Sequence, residues 1–272
     1  MEIKNIQTTK QGLDECRVLL EEVFKKNWSY ENLRWLYVDN PDGKVVGFNA
    51  YDSNKIIGHY ATIPINVYIQ GKEEMGLLSL NTATHPDYSG KGIFTILAKK
   101  TYEFAKEQGF SFVVGVANAS SIHVFRAKLG FQIVSQLRAM IGVGQIPEQQ
   151  EKQVFYFQPV RSLEKKQWRY NKPVSNYFSE NKDVYSPTKI RGVKAYLGPQ
   201  LKREVQNEPN ASRLNLWIGI DESRQWNRVI YFNIPNWLRP SPLNFIFKDL
   251  IGKGRTLDPA RVEFTNFDFD AY

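Results

Sequence analysis

Residues 85–95 read HPDYSGKGIFT, a proline-tyrosine turn and a Gly-Lys-Gly loop running straight into a helical pattern. No other stretch constrains the fold as much. The apolar segment before it, EMGLLSLNTATHP, predicts a strand. The pattern over 92–107 predicts an amphipathic helix with a stripe through Ile93, Ile96, Leu97, Lys100 and Phe104, closed by Gly109. A strand, a glycine loop and a helix start in that order present several backbone N–H groups in one direction, and the helix dipole adds partial positive charge there. Glycine lets a ligand approach the backbone closely. The loop therefore suits a phosphate group, with the amides of Gly90, Lys91, Gly92, Ile93, Phe94 and Thr95 as donors. Lys91 either adds its charge or leaves its side chain in solvent. Neither the P-loop pattern G-x-x-x-x-G-K-[ST] nor the dinucleotide pattern G-x-G-x-x-G is present. A plain turn also fits these residues.

The surrounding pattern gives the fold class. Leu13, Cys16, Leu19, Leu20, Val23 and Phe24 recur at helical spacing within residues 10–26, and a second short helix ends at Asn-Pro-Asp-Gly. Three strands follow, VVGFNAYDS, IIGHYATIPINVYIQ and EMGLLSLNTATHP, read as an antiparallel meander. After the helix at 92–107 comes the apolar run 110–117, typical of a strand covered on both faces. A helix over 120–128 and a long strand, FQIVSQLRAMIGV, complete the order α-α-β-β-β-α-β-α-β. This is an α/β (α+β) mixed sheet with helices on its faces.

Composition narrows the class of protein. The net charge of +8 suggests an anionic partner, but no run of five basic residues occurs, so nucleic acid is not favoured. No apolar run approaches 18 residues, so no membrane span is expected. The N-terminus lacks the apolar core of a signal peptide, and the single cysteine, Cys16, reads as a small buried hydrophobe; both fit the cytoplasm. No metal-ligand pattern stands out.

Residues 145–166 turn polar, which places a boundary between residues 1–148 and 149–272. The second part opens on WRYNKPVSNYF, which resembles LRWLYVDNPDGKVVGF: Trp168 and Tyr170 match Trp35 and Tyr37, and Pro173 roughly matches Pro41. The strands KIRGVKAYL, RLNLWIGI, NRVIYFNI and LNFIFKDL follow. The second part reads as a degenerate copy of the first.

Residues 80–134 together resemble the GCN5-related N-acetyltransferase (GNAT) superfamily. The loop resembles that family's acetyl-CoA pyrophosphate loop, and N-A-S-S-…-F-…-L-G-F from Asn118 to Phe131 resembles its second cofactor motif. The resemblance implies a GNAT fold, with the second part a degenerate GNAT-like half that binds substrate or only packs. It implies acetyl-CoA as acyl donor and a small-molecule amine as acceptor. Strand 77–84 would splay from strand 110–117. Thr82, Ala83 and Thr84 would bond the pantetheine arm, residues 89–95 would hold the pyrophosphate, and Asn118, Ser121 and Phe125 would line the cofactor. Three positions depart from the family pattern: Ser89 replaces Arg or Gln, Phe94 replaces a small residue that it could crowd, and Phe125 replaces a proton-donating Tyr.

The sequence names no clear general base. Asn81 cannot take a proton but can orient substrate or water. His59 and Tyr60 are candidates because strand alternation should turn one of them to the cleft. His85 reads as structural and His123 as pointing off its helix face. Asp268 and Asp270 would share one face of a C-terminal strand, and Trp237 and Arg239 lie in a loop that could cover a pocket. The motif form resembles GNAT proteins of bacterial surface-polysaccharide pathways, implying an amino-sugar acceptor, free or nucleotide-linked, which the positive charge would suit. Competing readings are an N-acetyltransferase of amino acid, peptide or protein amines, and a non-catalytic acyl-CoA-binding or interaction protein.

Overall fold

The computed structural model describes residues 1–272 apart from 151–153, 202–211, 227–229 and 270–272. The described chain forms two compact units. The first comprises 1–67, 73–133 and 246–256; the second comprises 68–72, 134–245 and 257–272. The units interleave in sequence, whereas composition suggested one cut after residue 148.

The first unit opens on strand β1 (Glu2–Asn5), which the sequence pattern did not announce, and helices α1 (Lys10–Phe24) and α2 (Tyr30–Tyr37). Both helices start on a hydroxyl cap: Thr9 accepts from Gly12 N, and Ser29 from Asn32 N. Strands β2 (Val46–Asp52), β3 (Lys55–Ile69) and β4 (Lys72–Thr84) follow, then helix α3 (Ile93–Glu107), strand β5 (Phe112–Ala117), helix α4 (Ile122–Ala127) and strand β6 (Gln132–Gln136). The sheet order is β1-β2-β3-β4-β5-β14-β6, where β14 is the late segment Asn244–Asp249. β1 and β2, and β2 and β3, pair antiparallel. β4 and β5 pair parallel at Leu77–Val113, Leu78–Val114 and Ser79–Gly115. Beyond those pairs β4 runs on to Thr84 without a partner on β5.

Helix α3 buries Ile93, Leu97, Ala98, Thr101, Tyr102 and Ala105. The expected stripe was rotated too far: Ile96 is exposed and Lys100 lies in solvent. The helix start is seated by close approach. A Cβ on Gly58 of β3 would meet Ile93 Cγ2 at 2.4 Å, so glycine there admits the first turn of α3 against the sheet.

The return segment is pinned by Arg255. Its Nη1 donates to both Glu74 carboxylate oxygens at 3.0 and 2.8 Å, its Nε to Asp249 at 2.8 Å and its Nη2 to the Ser111 carbonyl at 2.8 Å. Phe247 stacks on Phe112 at 6.0 Å beside it.

The second unit contains a second sheet. The run expected as one strand over 131–143 breaks at Leu137: β6 belongs to the first sheet and β7 (Arg138–Gly142) to the second. After β8 (Phe157–Pro159) come helix α5 (Leu163–Tyr170) and strands β9 (Phe178–Glu180), β10 (Asp183–Pro187), β11 (Val193–Pro199), β12 (Leu214–Ile220) and β13 (Tyr231–Asn233), with β15 (Phe264–Thr265) after β14. The order is β13-β7-β12-β11-β10-β9, with β15 on β12. Here too one pair is parallel, β11 and β12, joined at Val193–Leu214, Lys194–Asn215 and Ala195–Leu216. Helices α2 and α5 match closely. Each has eight residues, each starts on a serine accepting from the amide three residues on, and each ends on the tyrosine of a W-x-Y. The second sheet therefore repeats features of the first.

The extended acidic face expected at the C-terminus does not form, because the strand ends at Thr265 and the chain turns. Asp268 accepts from both Arg161 Nε and Nη2, at 2.9 and 2.6 Å, while Asp270 lies outside the described residues. The Arg239 guanidinium is spent on Ile234 O, Leu137 O and Asn233 Oδ1, so it pins its own loop. Trp237 is exposed.

Arg255→Met should cost about 3 kcal/mol, because it strands Asp249 and Glu74 without their shared donor. Urea unfolding of wild type and variant measures this; a loss below about 0.5 kcal/mol would make the fork a solvated pair.

Candidate functional site

The site is built where β4 leaves β5. Asn81 sits two residues past the last parallel pair, at φ +42°, a left-handed conformation for a non-glycine residue. The backbone of Thr82, Ala83 and Thr84 continues along the open edge.

The glycine loop lies at the start of α3, after a 3-10 turn at Pro86–Tyr88. Gly90 and Gly92 have φ of +77° and +73°, values that L side chains rarely adopt, and nothing lies within 4 Å of either position's Cβ direction. No bond from the amides of Gly90, Lys91 or Gly92 occurs among the described residues. The first bond of the helix is Ile96 N to Gly92 O, and no side chain caps this end, so the amides of Ile93, Phe94 and Thr95 are open as well. Ser89 N donates to Pro86 O and closes the turn. Lys91 lays its ammonium over the Tyr88 ring at 4.5 Å. Phe94 does not cover the glycines. Its ring packs on Tyr60 and Phe125, at 5.6 and 5.4 Å between centroids.

The second motif forms a local turn. Asn118 Oδ1 accepts from Ser120 N, Ser121 N and Ser121 Oγ at 3.0, 3.1 and 3.2 Å, which fixes the entry to α4. Phe125 is buried between Phe94 and Phe131. His123 is exposed.

His59 and Tyr60 both lie fully enclosed, so alternation turns neither to the cleft. The reason is that β3 is buried on both faces from Ile56 to Ile65. Tyr60 donates to Ser79 Oγ at 2.9 Å and shares a hydrogen bond with Tyr102 at 2.7 Å. Burial pushes its hydroxyl pKa up to about 12. His59 belongs to a buried polar chain that the sequence did not disclose. Asn81 Nδ2 donates to Tyr37 Oη at 3.0 Å; Tyr37 Oη lies 2.9 Å from His59 Nε2; His59 Nδ1 lies 2.6 Å from Asn49 Oδ1; Asn49 Nδ2 donates to Cys16 Sγ at 3.4 Å. The donors fix the tautomer. Asn49 Oδ1 can only accept, so Nδ1 carries the proton and Nε2 accepts from the Tyr37 hydroxyl. Burial drives the His59 pKa down to about 3, so the ring is neutral. Every donor in the chain points inward from Asn81, whose Oδ1 accepts nothing among the described residues. Asn49, an amide inside an apolar strand, was the one available signal.

His85 is structural, as its sequence position suggested. It is buried, accepts from Asp87 N through Nδ1, and sets Nε2 2.7 Å from Glu22. Among the described residues no group of three or more His, Cys, Asp or Glu could hold a metal, and no helix is long and apolar enough to cross a membrane.

Comparisons with known proteins bear on the fold. Residues 3–134 match the family model described as acetyltransferase (GNAT) domain. A protein of Methanocaldococcus jannaschii, described as an uncharacterized N-acetyltransferase, is 29% identical over 151 residues, which is 48% of this chain and 60% of the relative. The match thus spans about three fifths of that relative's length. The GCN5-related N-acetyltransferase of Kribbella flavida superposes with a TM-score of 0.61 at 11% identity, covering 92% of this chain and 72% of its own. Saccharomyces cerevisiae N-myristoyltransferase, solved with bound myristoyl-CoA, gives 0.58 at 12%, covering 98% and 83%. A probable N-acyltransferase of Enterococcus faecalis gives 0.57 at 12%, covering 92% and 72%. The chain has the GNAT fold, as its motifs implied, and a second sheet consistent with a further GNAT-like half.

Neutral His59 carries a pH signature. Unfolded, the ring takes a proton near pH 6.5; folded, it resists down to about 3. Its stabilising contribution is therefore whole above pH 7 and declines as pH falls below 6.5, by up to about 1.4 kcal/mol per unit. His59→Gln should destabilise at pH 7.5, and its deficit should shrink by about 2 kcal/mol at pH 5. A deficit independent of pH in denaturant titrations would mean that the folded ring takes up a proton as readily as the unfolded one.

Proposed function

We propose that this protein is an N-acyltransferase that moves an acetyl group from acetyl-CoA to the amine of a small molecule, an amino sugar being the best acceptor. The observation that carries this is the combination of six open amides around Gly90 and Gly92 with the unpaired edge of β4 beyond Ser79. The space beside both glycines is open, so the loop fits a pyrophosphate. The backbone of Thr82, Ala83 and Thr84 would hold the pantetheine arm as an added strand. Bound there, acetyl-CoA supplies the activated acyl group. Asn118 and Ser121 shape the turn that borders it. The amino-sugar assignment rests on the form of the motifs and on the positive net charge.

The residues of the chain limit the mechanism. Phe125 has no proton to give, and the nearby Tyr60 and Tyr102 hydroxyls are bonded to one another and hard to ionise. His59 is neutral with both nitrogens engaged, so it does not serve as base. The role left to this chain of groups is positional. Tyr37 and His59 hold the Asn81 amide nitrogen, which leaves Oδ1 to accept a hydrogen bond from an incoming amine. A proton then leaves through solvent rather than through a fixed side chain.

Thermal melting tests the reading. Acetyl-CoA and CoA should raise the midpoint where ATP does not, since only native protein binds them. Asn81→Ala should keep that shift yet lower kcat/KM, measured as thiol release with glucosamine, by about 10- to 100-fold. A shift without any thiol release, across sugar, amino-acid and peptide amines, would favour a binding protein. No shift at millimolar ligand would remove the proposal.

A further inference from the structure

The second unit holds a cavity of about 850 Å³ that the transfer chemistry does not use. That volume lies in the range of small-molecule sites. It opens where β11 continues past its last pairing with β12: Tyr196 and Pro199 line it, and both lie beyond Ala195. Asn266 holds the parted strands, donating through N to Ile218 O and through Nδ2 to Tyr196 O. The first unit has its open strand edge at the matching place, but with a glycine loop beside it. Among the described residues this cavity has no such loop, so its recognition falls to side chains.

Those side chains favour a cation. The two arginines in the wall are already neutralised. Arg161 spends its donors on Glu263 and Asp268, and Arg224 on Asp221 and the Pro147 carbonyl. Gln158 and Gln149 likewise spend amide donors on Glu263 and Asp221, which leaves their carbonyl oxygens as acceptors. Asp183 is different. It is half-buried and has no ion pair among the described residues; the Arg224 charge and the Tyr185 hydroxyl favour its ionised form but do not offset its burial. Desolvation raises its pKa to about 6, the mark of a carboxylate short of positive partners. Glu148 stands in the same wall. Lys166 and Lys182 supply the remaining positive charge, and Lys182 is exposed.

We infer that this cavity binds a polar small molecule through a protonated amine, with Asp183 as its counter-ion and the glutamine carbonyls as further acceptors. The site does not depend on acyl transfer in the first unit. An ammonium group supplies Asp183 with the ion pair it lacks among the described residues, and a neutral analogue does not.

Calorimetry on the full chain without acyl-CoA tests this. The probes are glucosamine against N-acetylglucosamine, and 1,4-diaminobutane against 1,4-butanediol. At least one amine should bind about tenfold or more tighter than its neutral partner. Asp183→Asn should weaken that amine about tenfold or more, and Lys182→Gln, at an exposed position, should tighten it about two- to fivefold. The acetyl-CoA melting shift should be unchanged in both variants, which separates this site from the first unit's reading. No heat from either amine at about ten millimolar, equal binding of amine and neutral analogue, or indifference to both substitutions would overturn the assignment.

Discussion

Strands β4 and β5 lie parallel over three residue pairs and then separate, and the candidate site of the first unit begins where that ladder stops. A parallel pair that continued would consume the backbone groups of Thr82 to Thr84. Because it stops, those groups have no partner on β5, and such an edge is one that an extended ligand can join. The separation must be held, since an open sheet edge tends to pair with whatever is near. Two features hold it. Asn81 adopts a left-handed backbone conformation that takes the following residues out of the ladder, and its side chain is tied to Tyr37 rather than across the gap. Gly58 then lets Ile93 approach β3, which sets the open amides of α3 at the same end of the sheet.

Much of this was legible in the chain itself. The loop at residues 89–95, the helix that follows and the apolar strand 110–117 are local signals, because turn chemistry and periodicity depend only on near neighbours. What the sequence hid is non-local. The strand expected over 131–143 has one continuous pattern, but β6 and β7 serve different sheets, and nothing between Gln136 and Arg138 marks the change. The return of β14 to the first sheet depends on Phe112 and Arg255 meeting partners more than a hundred residues away. Alternation failed on β3 for a related reason. It assumes one wet face, and this strand has none from Ile56 to Ile65, so His59 and Tyr60 are both enclosed.

The two sheets show how one plan takes different roles. Tyr37 and Tyr170 end equivalent eight-residue helices, and each reaches the strand that leaves its parallel partner. Tyr37 meets the Asn81 side chain on β4; Tyr170 donates to the Pro199 carbonyl on β11 at 2.9 Å. In the first unit the tyrosine is one link of a polar chain that continues through His59 and Asn49 to Cys16. In the second it bonds main chain directly, and the polar side chains instead gather around Arg161 and Arg224. The same geometry thus supports a backbone-lined gap in one unit and a side-chain-lined cavity in the other.

Phe125, which has no proton to donate, fits this division of labour. Around it the rings of Phe94, Phe131, Tyr102 and Tyr60 form one aromatic cluster, with successive centroids 5.1 to 5.9 Å apart. The two hydroxyls in that cluster face each other, and Tyr60 also reaches Ser79, so the wall beside α4 has no free polar group to share. A hydroxyl at position 125 would enter this wall without a partner and pay its desolvation there. Polarity is supplied from the strand side instead, by an amide that keeps its charge state at any pH and whose orientation is fixed through neutral His59. The site therefore has a dry aromatic wall beside α4 and a fixed neutral acceptor, Asn81 Oδ1, on β4.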